Sequence, residues 1–442
     1  MILVVNAEIV TGDKQDPFIS DGAIAIEGTE IVNVGKNSDI KSNYPAAEII
    51  DAHGGMVTPG HVNAHMHLYS SLARGMPPPT ETPKNFVEIL EKVWWRLDTA
   101  LTSEDVYLSA LVGLMESAKA GVTTVIDHHS SPNAITGSLT TISKAVRETG
   151  LRGILCYEVS DRDGVEKRDE AVRENADFIN STRSEADDSA GLFGLHASFT
   201  LSDESLDASL EANGDKGFHI HVAEDKADLD DARQKYNMST VERLAAKGIL
   251  NENSIAAHCV HLEDGDVDLL KDSGVLVTHQ PQSNANNAVG RAEIPILLKK
   301  KVRVALGTDS YTHNLLEEAH FALLNHDAEN GGPPSVSDLT LMLSENACAA
   351  SGYLGVKLGL IAEGYEADFA IYDYSPPTPV SETNINSHIF YGLRSIPPKS
   401  VFAKGEKIVD DYKMSKVMKK KFTRNHAGLQ KRFGIECEGR RI

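Results

Sequence analysis

The chain of 442 residues reads as an α/β protein: a (β/α)8 TIM-like barrel with a small β-sandwich domain built from both chain ends. Three observations predict this. Eight short apolar runs, each followed by a helical-looking stretch, recur over about 250 residues, which is the alternation such a barrel requires. The two ends are instead rich in short strand-like pieces separated by Gly, Asn and Asp. Finally, nearly every run in the middle stops at a histidine or an acid.

At the N-terminus, Ile2–Val5, Ala23–Ile26, Glu30–Val34 and Glu48–Ile50 are apolar or alternating, and Gly28-Thr29 suggests a hairpin. The barrel runs are His61–His67, Thr123–Asp127, Gly153–Tyr157, Leu192–His196, Phe218–Val222, Ser254–His258, Val275–His279 and Val302–Leu306. The sixth and seventh lie close enough together to admit only a short helix. At the C-terminus, Ala367–Tyr372, Val401–Lys404 and Ile408–Val409 again read as strands, with a turn at Gly405-Glu406-Lys407. The expected division is 1–57 and 357–442 for the two parts of the sandwich, the latter with a terminal helix, and 58–356 for the barrel. A doubly wound open sheet is the competing architecture. No G-x-G-x-x-G or P-loop follows any strand, so its nucleotide-binding forms lose support.

Composition narrows the function. Hydrophobic residues make up 41% and charged residues 24%, as in ordinary globular proteins and unlike disordered or fibrous ones. The net charge of −21 repels phosphate backbones and anionic lipid, so neither nucleic acid nor membrane is an expected partner. No apolar run approaches the roughly 20 residues that cross a bilayer, and Met1–Val5 reads as a strand rather than a signal peptide. The four cysteines, Cys156, Cys259, Cys348 and Cys437, are far apart, which points to a reducing cytoplasm. From Lys413 to Arg441 ten basic residues face two acids, a segment read as a helix with a solvated or docked face.

The strand ends carry the chemistry. In a barrel of this type, functional groups collect at the C-terminal ends of the strands. Ten of the 17 histidines fall at or beside these ends. His65-Met-His67 places two imidazoles on one face of a strand, because residues i and i+2 share a face; the alternative is a packed pair. His219-Ile-His221 repeats the pattern on the fifth run, with Glu224 three residues on. Neutral imidazoles suit a divalent first-row metal, and a carboxylate beside the ion suits proton transfer. Asp309, after the eighth run in Gly-Thr-Asp-Ser, can ligate an ion and accept a proton.

Val57-Thr-Pro-Gly-His-Val-Asn-Ala-His65-Met-His67, His219-Ile-His221-Val-Ala-Glu224, Ala257-His258 and Leu306-Gly-Thr-Asp309-Ser stand in the order of the amidohydrolase superfamily signatures, which this chain resembles. Within it the likeness is to the cytosine/guanine deaminase and chlorohydrolase branch, and there to the SsnA group of aminohydrolases. It covers nearly the whole chain, including Trp94-Trp95-Arg96-Leu97-Asp98 and Asp127-His128-His129. The resemblance implies His65, His67, His221 and Asp309 as ligands of one divalent ion, zinc, with iron as the alternative. It implies Glu224 as proton shuttle, His258 as partner of the attacking water, and Asp309 as the acceptor of its proton. A metal-activated hydroxide would attack a C–N carbon of a heterocycle, a purine or related ring, and release ammonia. A homo-oligomer, dimer or larger, is implied as well. The two-metal relatives' bridging lysine is absent from the fourth run, which His196 ends instead.

Around this centre, Arg74, His128, His129, His196, Asn284 and Asn287 are candidate substrate contacts, weighed against salt-bridged or packed roles. Trp94 and Trp95 read as helix packing more readily than as a lid, and His219 and His261 as supports. Ser198, in place of a Pro, and the missing cysteine before Pro281 depart from the branch pattern near the expected pocket, and bear on the substrate rather than the metal. The runner-up activity is a single-metal cyclic amidase that opens a ring, as imidazolonepropionase does. A non-enzymatic scaffold would have lost ligands, and none is missing here.

Overall fold

The computed structural model describes residues 1–74, 76–182, 188–214, 216–325, 332 and 334–415. The terminal helix expected within the basic segment lies outside the described residues from 416 onward.

The N-terminal strands are β1 (Ile2–Val10), β2 (Phe18–Glu27), β3 (Glu30–Lys36), β4 (Glu48–Asp51) and β5 (Met56–Pro59). β2 and β3 form the expected hairpin, turning at Gly28, whose φ of +63° favours glycine. β5 pairs parallel with β1 and antiparallel with the C-terminal strand β15 (Phe369–Tyr372), with Pro59 opposite Phe369 and Met56 opposite Tyr372. β16 (Ser400–Ala403), β17 (Glu406–Asp410) and β18 (Lys413–Met414) continue from β15, so both ends of the chain share one nine-stranded sheet. Val4, Ile9, Ile24, Val57, Phe369 and Phe402 form its apolar cluster, and the Phe369 and Phe402 rings stack at 4.6 Å.

Between these pieces lie the barrel strands: β6 (His61–Met66), β7 (Val122–His129), β8 (Arg152–Tyr157), β9 (Ser189–Gly191), β10 (Phe193–Ala197), β11 (Phe218–Val222), β12 (Ile255–His258), β13 (Leu276–His279) and β14 (Arg303–Leu306). All pair in parallel. They are buried almost throughout, which is why they read as continuous apolar runs rather than alternating ones. The expected fourth run, Leu192–His196, falls on β10, and the short β9 precedes it. β9 pairs with β8, β10 pairs with β11, and Val159 bridges Leu195 across that seam. A parallel bridge from Met66 to Asp309 closes the other seam, between β6 and β14. The eight runs therefore form a closed barrel. The short helix Asp266–Ser273 fits the narrow interval between β12 and β13.

Side chains reinforce the closing seam. Asn346, buried on the helix Val336–Leu354, donates to the carbonyls of Val62 at 2.6 Å and Leu306 at 2.7 Å, and accepts from the Leu306 N–H at 2.7 Å. Asn63 donates to the Thr308 hydroxyl at 2.7 Å and accepts from its N–H at 3.2 Å. Gly307 is required there, since a Cβ would stand 2.8 Å from both the Cβ and the carbonyl oxygen of His65. Among the described residues, no helix is long and apolar enough to cross a membrane.

Replacing one side chain at this seam leaves three buried backbone groups without their partner. Asn346→Leu is expected to lower the unfolding free energy by roughly 3 kcal/mol, since each orphaned buried group costs about 1–3 kcal/mol before relaxation. An unchanged denaturant midpoint would show that the backbone bridges hold the seam alone.

Candidate metal centre

Four imidazoles and two carboxyls meet at the C-terminal mouth of the barrel. His65 projects near the end of β6, with His67 just beyond it; His221 lies on β11, His258 ends β12, and Glu224 and Asp309 follow β11 and β14. The chain turns sharply where these groups are presented. Ala223, His258, Cys259 and Asp309 all have positive φ, between 48° and 73°, a region in which non-glycine residues are strained. The strain is held by specific bonds. Buried Asp228 accepts from the N–H of Ala223 and of Phe199, each at 2.9 Å. The Gln280 side chain accepts from the His258 N–H at 3.2 Å, and the Asp309 N–H donates to the His65 carbonyl at 3.0 Å.

Hydrogen bonds on the far side of each ring decide which nitrogen carries a proton. His67 Nδ1 faces the His128 carbonyl at 2.6 Å, and His221 Nδ1 faces the His196 carbonyl at 2.8 Å. A carbonyl only accepts, so both Nδ1 atoms are protonated and both Nε2 atoms are bare lone pairs. These two Nε2 atoms nevertheless face each other at 3.3 Å. His65 is set by a relay: the Cys156 thiol donates to the Asp127 carbonyl, His219 Nδ1 faces Cys156 Sγ at 3.8 Å, and His219 Nε2 accepts from His65 Nδ1 at 2.8 Å. This leaves His65 Nε2 as a buried lone pair with no hydrogen-bond partner. His258 Nδ1 donates to Asn284 Oδ1 at 2.7 Å, and its Nε2 is likewise buried without a hydrogen bond. Burial, reinforced by neighbouring imidazoles, pushes His65 and His221 well below the ordinary histidine range, so they stay neutral.

Asp309 completes the cluster, with Oδ1 3.5 Å from His67 Nε2 and Oδ2 3.8 Å from His258 Nε2. Converging lone pairs and a carboxylate, with no donor among them, need a cation. The spacing also fits one. Two ligands at about 2.05 Å from a tetrahedral ion stand about 3.3 Å apart. His65, His67 and Asp309 lie within mutual coordination reach, as do His65, His221 and His258, and also His67, His128, Glu158 and His221. The residues present therefore fit a divalent metal ion.

The two carboxyls are pushed in opposite directions. Burial, together with the charge of Asp309, raises Glu224 well above the ordinary carboxyl range. Burial would raise Asp309 too, but the His67 and His258 imidazoles, the Ser283 hydroxyl at 2.7 Å and the Ser310 N–H at 2.6 Å hold it below that range. Glu224 Oε2 lies 3.6 Å from His258 Nε2. One carboxyl shifted up and one shifted down thus flank the same imidazole, the separation by environment that acid–base catalysis uses.

The pocket above the centre is lined by His67, His221, Glu224 and Asp309, by the aromatic wall of Tyr69, Phe86, Trp94, Trp95 and Phe199, and by Glu158, His196, Ser283 and Asn287. His196 thus faces the pocket, as the sequence suggests, and so do both tryptophans, which lie on the wall rather than only packing helices. Four candidate substrate contacts, Arg74, His128, His129 and Asn284, sit elsewhere. Arg74 is exposed and forked on Glu116 at 2.7 and 2.8 Å, outside the pocket lining. His129 packs between Tyr69 and Tyr157 and bonds Ser131 at 2.8 Å. Asn284 holds His258 from behind, while Asn287 takes the pocket position near Glu224. His128 lies beneath the floor, stacked on His219 at 4.4 Å. His261 bonds the Val289 carbonyl at 2.6 Å. Glu158, the acid that follows the third run, lines the pocket as well, as do Asp98 and Ser283, for which the sequence gives no role.

A closed barrel with imidazoles and an aspartate converging at its C-terminal mouth defines a metal-dependent hydrolase. Residues 56–408 match the amidohydrolase family model, and the chain belongs to that family, hydrolases of carbon–nitrogen bonds. It is 31% identical over 420 residues to a 5'-deoxyadenosine deaminase of Methanosarcina acetivorans, covering 93% of this chain and 94% of that one. It is 30% identical over 425 residues to a 5-methylthioadenosine/S-adenosylhomocysteine deaminase of Thermoanaerobacter pseudethanolicus, covering 94% and 95%. In fold it is similar to a zinc-bound adenosine deaminase from Xanthomonas campestris, with a TM-score of 0.85 at 20% identity over 98% of both chains.

Because His219 alone orients His65, His219→Phe is expected to weaken metal binding about 10–100-fold, the usual cost of losing such a support. Competition with a chromophoric chelator reads this directly. Unaltered affinity would mean the His65 ring is fixed by packing alone.

Proposed function

We propose that this chain is a metal-dependent aminohydrolase that removes an amino group from a nitrogen heterocycle, a purine or related ring, and releases ammonia. One observation carries the reading: buried imidazole lone pairs and the Asp309 carboxyl converge, with the Glu224 carboxyl beside them, at the floor of an aromatic-walled pocket. The names of the relatives at 30–31% identity support the ring class. The likeness to the SsnA group is compatible with several rings and does not choose among them.

In this proposal His65, His67, His221 and Asp309 hold a single divalent ion, zinc, although ferrous iron accepts the same donors. When bound, the ion supplies Lewis acidity and a nucleophilic water at neutral pH. Asp309, kept ionised, takes the proton of the attacking water. Glu224 delivers its proton to the ring nitrogen beside the reacting carbon; the proton held by Asp309 then passes to the departing amine, and the hydroxyl proton of the adduct restores Glu224 as the new C=O forms. His258, fixed through Nδ1 on Asn284, presents its Nε2 lone pair as an acceptor that orients the attacking water. The aromatic wall stacks on the ring and excludes water. A cytoplasmic homo-oligomer belongs to the same proposal, and the free thiols of Cys156, Cys259 and Cys348 suit that compartment.

Ring opening of an imidazolone bearing a propionate is the second reading, and the pocket disfavours it. Such a substrate needs a cation for its carboxylate. No Lys or Arg lines the pocket among the described residues; Arg162, over Trp95, gives one terminal nitrogen to Asp98 and Nε to Asp163, while its other terminal nitrogen is buried without a hydrogen-bond partner.

Metal-loaded enzyme is expected to release ammonia from an amino-substituted purine with a matching ultraviolet change. Glu224→Gln should lower kcat about 10²–10⁴-fold, the range for losing a general acid–base group, with metal content unchanged. His65→Ala should lose the ion itself, measured by elemental analysis. Full turnover by the Glu224→Gln enzyme, or no ammonia from any purine, would sink the proposal.

A further inference from the structure

Glu158 takes no part in the chemistry above, yet it stands on the pocket floor. It is 7% exposed and follows β8, with His196 next to it around the barrel and Glu224 beyond. Its Oε1 lies 3.4 Å from His67 Nδ1 and 3.5 Å from His128 Nδ1 but receives no hydrogen bond, since the His67 N–H is directed at the His128 carbonyl. Its Oε2 lies 4.0 Å from His196 Nε2, beyond hydrogen-bond reach. The Arg162 guanidinium gives one terminal nitrogen to Asp98 and Nε to Asp163, and its other terminal nitrogen, also buried, makes no hydrogen bond to Glu158 or to any other described group. A buried carboxyl thus faces the ligand space with acceptor capacity that no described side chain uses. Water can serve it in the open pocket. A ring that displaces this water must bring its own donor or leave the oxygen unpaired, and a site built this way discriminates against analogues lacking the donor.

We propose that Glu158 is a specificity-determining residue, accepting a hydrogen bond from an N–H or NH2 of the bound ring other than the amino group that leaves. The inference rests on the aminohydrolase reading and deepens it. The substrate class becomes heterocycles with at least two donor sites, one facing Glu224 and the metal centre and one facing Glu158 from two strands away.

Two matched probe pairs test this on the full-length, metal-loaded enzyme. Purine and 2-aminopurine differ by one amino donor and lack the 6-amino group, so fluorescence titration and competition read their binding without turnover. Adenine and 9-methyladenine differ by one ring N–H and are compared by kcat/KM. The wild type is expected to favour the donor-bearing member of at least one pair about tenfold or more, the order expected when a polar site meets an analogue lacking its partner. Glu158→Met, similar in length but with no oxygen acceptor, should bring that ratio close to one with metal content and melting temperature retained. Glu158→Gln, which keeps one acceptor, should fall between. Equal binding of both members by the wild type, no binding of either, an unchanged ratio in Glu158→Met, or loss of the ion in that variant would each overturn the inference. If the 2-aminopurine preference collapses in Glu158→Met while no purine yields ammonia, the Glu158 assignment stands and the aminohydrolase reading falls.

Discussion

Everything at the mouth of the barrel follows from one constraint: imidazole lone pairs are brought together with no proton to share. Backbone carbonyls claim the Nδ1 protons of His67 and His221, and His219 and Asn284 claim those of His65 and His258. Each ring therefore presents a bare Nε2 to the same small volume. Two such atoms 3.3 Å apart repel unless a positive charge lies between them. Burial keeps the rings from supplying that charge by protonation. The supports behind the rings thus make the site a cation receptor, and they matter as much as the four donors themselves.

Holding that arrangement is the work of the scaffold. Strained turns at Ala223, His258, Cys259 and Asp309 aim side chains that a relaxed strand end would send elsewhere. Asp228, Gln280 and the His65 carbonyl keep the strain in place through bonds to the backbone. The seam between β6 and β14 brings His65 and His67 against Asp309, and Asn346 and Asn63 lock that seam from opposite sides. The tight approach at Gly307 belongs to the same joint.

Two carboxyls of one pocket then acquire opposite characters from their surroundings alone. Donors and imidazoles around Asp309 keep it charged, whereas Glu224 has little beside burial and an amide of Asn287. Glu158 is a third case, buried among histidines whose protons point elsewhere. In the proposed aminohydrolase reaction the first two carry protons, and the third is where a particular ring would be told from its neighbours.

Much of this was legible in the residues. Parallel strands buried on both faces leave continuous apolar runs, so eight strands could be placed almost to their ends, and i, i+2 spacing marked His65 with His67 and His219 with His221 as pairs sharing a face. What one-dimensional reading could not resolve is which way a side chain turns after its strand stops. Arg74 leaves the mouth to meet Glu116, Asn284 sits behind His258 while Asn287 faces the pocket, and His129 packs between tyrosines. Local periodicity determines an element and its buried face. The neighbours that claim a polar group are decided by contacts between residues as far apart as 63 and 308, and only the closed barrel brings those together.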